Sequence, residues 1–196
     1  LQQIYLLGYS WGAVLALEYA IKHQKNLKGL ILADFPASTK SFEARMQYLR
    51  TTLPPEAQRI FNELEAEGEC GSSLWQATME QYFYPRYFCT LSVLPTEVSV
   101  SFSHLNWQLC YYFMGKNDFV VDGALKGWDR WADLPNIAVP SLILVGEHDL
   151  CSADDATAMA ASMPCGLAHV VSGASHVPFY ENQEDYFDAL LNFLQK

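Results

Sequence analysis

The chain has 196 residues, 51% hydrophobic and 17% charged, a composition that builds a packed core and excludes a disordered polymer. Its formal net charge of -10 at pH 7 disfavours nucleic acid and anionic lipid as partners, because steering toward phosphate needs a field of the opposite sign. No apolar run approaches the roughly 18 residues of a membrane span, and the first residues lack a basic segment with a small-residue cleavage site, so the chain reads as soluble, cytoplasmic and without a membrane partner.

In chain order, Ile4-Tyr5-Leu6-Leu7 reads as a short apolar strand. Gly8-Tyr9-Ser10-Trp11-Gly12 then turns into a helix running to about His23. Leu27 to Ala33 reads as a second buried strand ending at Asp34-Phe35-Pro36, so the opening is a βαβ unit and the sheet is mostly parallel. From 37 to 133 the pattern changes to helical stretches rich in aromatics, among them Phe42 to Arg50, Pro55 to Glu67 and Ser73 to Tyr84. After Pro140 the α/β pattern resumes with a strand at Ser141 to Val145 and a helix from Ala153 to Met163, for which Ser152 is the N-cap with Asp155 completing a capping-box-like start. A strand at Leu167 to Val171 and a helix from Asn182 to Leu194 close the chain. The expected organisation is therefore a core of residues 1–36 and 134–196 with a helical insertion at 37–133. Leu1 lies only a few residues before the first strand, and parallel sheets are normally flanked, so a preceding segment of several strands is expected to be missing.

Gly8-x-Ser10-x-Gly12 between a strand and a helix is a nucleophile-elbow arrangement, in which the serine occupies a tight, strained turn and the glycines give room for close packing. A serine hydroxyl is a weak nucleophile at neutral pH, so it needs a histidine in hydrogen-bond reach and a third group to fix the imidazole tautomer. Asp149, in Gly146-Glu147-His148-Asp149, and His176, in Ser172-Gly173-Ala174-Ser175-His176, each follow the carboxyl end of a predicted strand, where such sheets place active-site groups. Asp34, after the second strand, is the alternative acid. Asp154 and Asp155 fit the first turn of a helix better. His148 reads as an exposed loop residue, His169 lies within a strand, His23 ends a helix and His104 falls in the insertion. The amide of Trp11 is one expected oxyanion donor; the second usually comes from a loop after an earlier strand. The five cysteines, Cys70, Cys89, Cys110, Cys151 and Cys165, show no close pairing of the kind that staples small domains or binds zinc and read as reduced thiols.

The run from Gly8 through Ser10 to Ala20 resembles the elbow and helix of the proline iminopeptidase family of α/β-hydrolases. Met114-Gly115-Lys116-Asn117-Asp118-Phe119, followed by Gly123-Ala124-Leu125-Lys126-Gly127-Trp128-Asp129, is similar to that family's cap segment of the form Gly-Pro-x-Glu-Phe, then Gly-x-x-Lys-x-Trp-Asp. Gly146 to Asp149 and Gly173 to His176 match its acid and histidine loops, and the family's amino-terminal part, with a His-Gly-Gly-Pro-Gly loop that completes the oxyanion hole, is absent. The resemblance implies an α/β-hydrolase core with an inserted helical cap, a triad of Ser10, Asp149 and His176, and no cofactor or metal. It further implies two carboxylates, Asp118 and Glu147, that hold the free amino terminus of a peptide or aminoacyl amide substrate. Asp118 stands where the family commonly has glutamate and Lys116 where it has proline, and both differences bear on whether proline is the first residue removed. Cys110 aligns with a tyrosine that in some members holds the amine, with Tyr111 and Tyr112 adjacent. Trp75, Tyr82, Phe83, Tyr84, Trp107 and Phe113 either shape an apolar pocket for the first residue or pack the cap on the core. The leading expectation is a serine aminopeptidase releasing an amino-terminal residue through an acyl-enzyme. An amidase or esterase that needs no free amine, and a truncated non-catalytic chain, are the alternatives.

Overall fold

The near-continuous apolar run Leu30-Ile31-Leu32-Ala33 is what a strand covered on both faces requires, and the alternation along it sends successive side chains to opposite sides. In a computed structural model, which describes residues 3–195, this run is β2 (Leu27–Ala33) of a four-stranded parallel sheet ordered β1-β2-β3-β4. Its neighbours are β1 (Ile4–Tyr9) on one side and β3 (Ser141–Gly146) on the other, with β4 (Gly166–Val171) beyond. Leu1 and Gln2, which begin the chain ahead of the first expected strand, lie outside the described residues.

Leu30, Leu32, Ile143 and Val145 face one side of the sheet, where they pack with Val14 and Leu17 of α1 (Trp11–His23) and with Met159 and Ala160 of a later helix. Ile31, Ala33, Leu142 and Leu144 face the other side against Tyr186 and Phe193 of the carboxyl-terminal helix. All six residues of β3 are buried, as expected of a strand flanked on both sides and covered on both faces.

Between β2 and β3 the chain is helical. α2 (Thr39–Thr51) starts at Ser38, whose hydroxyl accepts the amide of Ser41, and α3 (Pro55–Ala66) begins with proline at its first position. The helix expected from Ser73 to Tyr84 is divided into α4 (Ser73–Thr78), a π-helical turn over Met79–Phe83 and α5 (Tyr84–Tyr87). α6 (Thr96–Ser103) and α7 (Trp107–Met114) complete the segment. Phe61, Trp75, Phe83 and Phe119 form its fully buried centre, with ring centroids 4.8–5.8 Å apart. Arg50 lies over Phe119 and makes paired bonds of 2.8 and 2.7 Å to Glu65, so its buried charge is matched by a carboxylate. Glu65 also accepts from Asn117 at 2.8 Å, which ties the 117–119 turn to this centre.

After β3 come α8 (Ala153–Ser162), β4, a short turn α9 (Pro178–Glu181) and α10 (Gln183–Leu194). Ser152 caps α8 by accepting the amide of Asp155 at 3.0 Å. Among the described residues no helix is long and apolar enough to cross a membrane.

Candidate active site

Ser10 sits between β1 and α1 with φ 53° and ψ -126°, outside the comfortable regions for a side-chain-bearing residue. Its amide donates to the carbonyl of Ala33 at 2.8 Å, which locks the turn onto β2. Gly8 is needed here, since a Cβ would lie 2.3 Å from the carbonyl oxygen of Gly12 and 2.7 Å from the Cβ of Ala16. The same argument does not extend to Gly12: a Cβ there meets nothing within 4 Å, which corrects the expectation that both glycines make room for packing. As the first residue of α1, Trp11 has an amide with no partner in its own helix, and that amide belongs to the positive end of the helix dipole.

Asp149 and His176 arrive from the carboxyl ends of β3 and β4. The two loops touch through Gly146, where a Cβ would come within 2.1 Å of the carbonyl oxygen of Ser175. His176 Nε2 is 2.9 Å from Ser10 Oγ, and His176 Nδ1 is 2.6 Å from Asp149 Oδ1, an unbroken chain from hydroxyl to imidazole to carboxylate. Asp149 is fully buried and also accepts the amide of Leu150 at 2.6 Å. Arg45 of α2 donates to the Asp149 carbonyl at 2.9 Å. Burial depresses the His176 pKa below its ordinary value, so the ring stays neutral and able to accept a proton. The Tyr9 hydroxyl donates to the His176 carbonyl at 2.6 Å.

Glu181 was not singled out from sequence, because its role depends on the short α9 turn. Its Oε2 accepts the amides of Ser175 at 2.7 Å and Val177 at 3.3 Å, one on each side of His176. Its Oε1 accepts from Thr90 and from the Ser175 hydroxyl, all at 2.7 Å, which joins the histidine loop to the helical segment. Asp34, the alternative acid, is buried and makes no contact with His176 in the hydrogen-bond network; its Oδ1 accepts the amide of Gly146 at 3.3 Å.

Two cavities flank this centre. One, of about 410 Å³, is lined by Ser10, Trp11 and His176 together with Phe102, Leu105 and Phe179. The other, of about 180 Å³, contains Asp118 with Tyr84, Cys110, Tyr111 and Leu150, and the two share Phe88, whose ring lies 5.5 Å from the His176 imidazole. Asp118 accepts the Trp75 indole N-H at 2.6 Å, and burial raises its pKa against that bond. Trp107 lines the inner cavity, Phe113 packs on Trp11 at 5.3 Å, and Trp75 and Phe83 are core residues. Neither of these cavities contains both Asp118 and Glu147. Glu147 is exposed, lines neither cavity, and accepts the amide of Gly173 at 2.9 Å.

The other histidines fall where the pattern puts them: His148 and His104 are exposed, His169 lies in β4 bound to Asp185 at 2.7 Å, and His23 ends α1. All five cysteines are free.

Comparison with known proteins matches residues 1–183 to a family described as the alpha/beta hydrolase fold. A proline iminopeptidase of Chitinophaga pinensis is 31% identical over 195 residues, covering 98% of this chain and 65% of that protein. One from Thermoplasma volcanium is 30% identical, covering 99% of this chain and 66% of its own length. The chain thus spans just under two thirds of these relatives. Among solved structures, VinJ superposes with a TM-score of 0.91 at 29% identity, covering 98% of this chain and 66% of that one. A proline iminopeptidase of Mycobacterium smegmatis superposes with a TM-score of 0.87 at 26% identity, covering 100% and 66%.

Proposed function

As this chain belongs to the α/β-hydrolase fold family, we propose that it carries the catalytic centre of a serine aminopeptidase that releases an amino-terminal residue from a short peptide or aminoacyl amide. Ser10 Oγ attacks the carbonyl carbon while His176 Nε2 takes its proton. Asp149 holds His176 in the tautomer that leaves Nε2 free to accept and balances the imidazolium that forms. The Trp11 amide donates to the oxyanion. His176 then returns the proton to the departing amine, and a water attacks the acyl-enzyme by the same route in reverse.

Asp118 supports the requirement for a free amine. It is the carboxylate of the inner cavity, and an ammonium ion brought among Phe83, Tyr84, Tyr111 and Leu150 needs an anion to offset its lost hydration. Glu147 is assigned to holding the histidine loop rather than to the amine, because its bond to Gly173 and its exposure give it no path to that cavity. Residues 37–133 act as a cap that supplies the amine site, and 1–36 with 134–196 supply the triad. The likeness to proline iminopeptidases supports proline among the first residues released.

The observation that carries this reading is the unbroken Ser10–His176–Asp149 chain one aromatic ring away from a cavity holding a carboxylate. Prolyl, alanyl and leucyl nitroanilides, each with a free and an acetylated amine, test it in the natural polypeptide with Ser10→Ala as control. Turnover confined to free amines and abolished in the control is the expected result. Equal turnover of acetylated substrates replaces the aminopeptidase by an amidase or esterase, and no turnover replaces it by a non-catalytic chain.

A further inference from the structure

The carboxyl of Asp34 is used by no step above, yet it is 1% exposed and is buried beside the Asp149 carboxyl, which is 0% exposed, so that each acts on the ionisation of the other. Each group has one oxygen accounted for. Asp34 Oδ1 accepts the Gly146 amide, and Asp149 Oδ1 accepts from His176 and Leu150. The remaining oxygens, Oδ2 of both residues, are buried without any partner. Two carboxylates side by side away from water cannot both be ionised, whereas one proton between them satisfies both orphan atoms at once.

We propose that Asp34 and Asp149 share a single proton, carried on Asp34, so that a neutral carboxyl at the end of β2 donates to the outer oxygen of the triad acid and positions it for His176. The inference rests on the reading of Asp149 as the orienting acid. Burial also pushes the Asp149 carboxyl up, to about 8, but Asp149 is the anionic partner of the two because N-H groups of His176 and Leu150 donate to it, the Arg45 guanidinium binds its carbonyl, and the bond from Asp34 favours its charged form. Asp34 receives one longer bond from a backbone amide and has no cation beside it. Burial first, and the neighbouring Asp149 second, push the Asp34 pKa well above the carboxylate range. The other titratable groups around the pair are the Tyr9 and Tyr186 hydroxyls, the Cys151 thiol, His176, and Glu181 beyond it. Burial favours the neutral form of Tyr9, Tyr186, Cys151 and His176, so none of them supplies a competing charge at neutral pH. The proton stays on Asp34 through the cycle, and the one that moves is carried by His176.

The backbone supports a fixed role. Asp34 adopts φ 61°, a left-handed conformation uncommon for a residue with a side chain, and its amide donates to the Leu144 carbonyl at 2.9 Å. The side chain is thereby turned across the β2–β3 boundary toward Asp149. Asparagine tolerates the same backbone and offers an N-H₂ to Asp149 Oδ2 with its carbonyl toward Gly146, so Asp34→Asn replaces the donor without the proton. Asp34→Gly removes the donor and leaves the backbone unstrained.

Isotope-edited infrared spectroscopy of the natural polypeptide, with labelled aspartate, reads the proton directly. An Asp118→Asn background removes the aspartate outside the pair whose pKa burial also raises. The expected result is a protonated aspartic carboxyl band that persists at neutral pH and disappears in Asp34→Asn. Alongside it, kcat stays within about threefold of its starting value in Asp34→Asn and falls about ten- to a hundredfold in Asp34→Gly, with KM little changed. Absence of the band, its survival in Asp34→Asn, or an Asn variant as impaired as the Gly variant overturns the proposal. So does an active Asp149→Asn beside an inactive Asp34→Asn, which would make Asp34 the acid. If Asp34→Gly does not fold, the band and the Asn variant still decide. The band needs no substrate, so its loss speaks against the shared proton, whereas turnover of acetylated substrates speaks against the aminopeptidase reading.

Discussion

Replacing Asp118 by asparagine keeps the volume and the carbonyl that accepts the Trp75 indole N-H at 2.6 Å, and removes only the charge. The remaining amide nitrogen is then turned toward the cavity, where an ammonium group would meet a donor instead of an anion. Truncating one member of a buried, hydrogen-bonded charge pair costs about 2–5 kcal/mol. Asp118 is half-buried, so the lower end applies, about 2–3 kcal/mol or roughly 30- to 150-fold in kcat/KM. The loss should fall on substrates with a free amine and leave the acetylated series unchanged. Steady-state rates for a matched pair, alanyl and acetyl-alanyl nitroanilide, give the ratio directly. An equal loss on both substrates means that Asp118 only supports the fold through Trp75. No loss on either means that the amine, if it is bound at all, is bound elsewhere.

Further expectations follow from the triad and its supports. Burial lowers the His176 pKa, so the neutral base persists below the ordinary histidine value of about 6.5, and the acid limb of kcat/KM should have its midpoint below that pH; a midpoint above it refutes the burial argument. Ser10→Gly and Ser10→Ala are both expected to abolish activity, but glycine relieves the φ 53° strain. The glycine variant should therefore be the more stable by about 1 kcal/mol, melting about 2–4 °C higher, the reverse of the usual order of the two residues. Glu181→Ala leaves the amides of Thr90, Ser175 and Val177 without their acceptor. It should lower stability by about 2–3 kcal/mol in denaturant unfolding and kcat by about tenfold with KM little changed, while an unchanged kcat would detach Glu181 from the positioning of His176.

The sheet was legible because each strand is an apolar run short enough to be a strand and bounded by turn residues, and Leu27 to Ala33 matches β2 at both ends. Ser10, Asp149 and His176 were legible for a related reason: each is a reactive residue just past a strand, and parallel strands bring such positions to one edge. Side-chain direction in loops was not legible. Glu147 and Asp118 were paired by resemblance, but the Gly173 amide draws Glu147 to the surface, and no pattern in Gly146 to Asp149 encodes that bond. Asp34 looked like a competitor for the role of acid. Its partnership with Asp149 appears only once β2 and β3 are adjacent and its backbone is left-handed. α6 and α7 carry no strong periodic stripe, and their residues are mostly exposed or half-buried, so hydrophobic spacing did not delimit them.

The absence of a side chain at Gly146 sets how much freedom the acid and the histidine have relative to each other. The carbonyl oxygen of Ser175 occupies space that a methyl group would fill, so the two loops meet through main-chain atoms. Side chains exchange rotamers within nanoseconds, whereas packed main-chain atoms have no comparable set of alternatives. On the proposed reading, the entropy of aligning Asp149 with His176 is given up once, when the chain folds, instead of with each substrate.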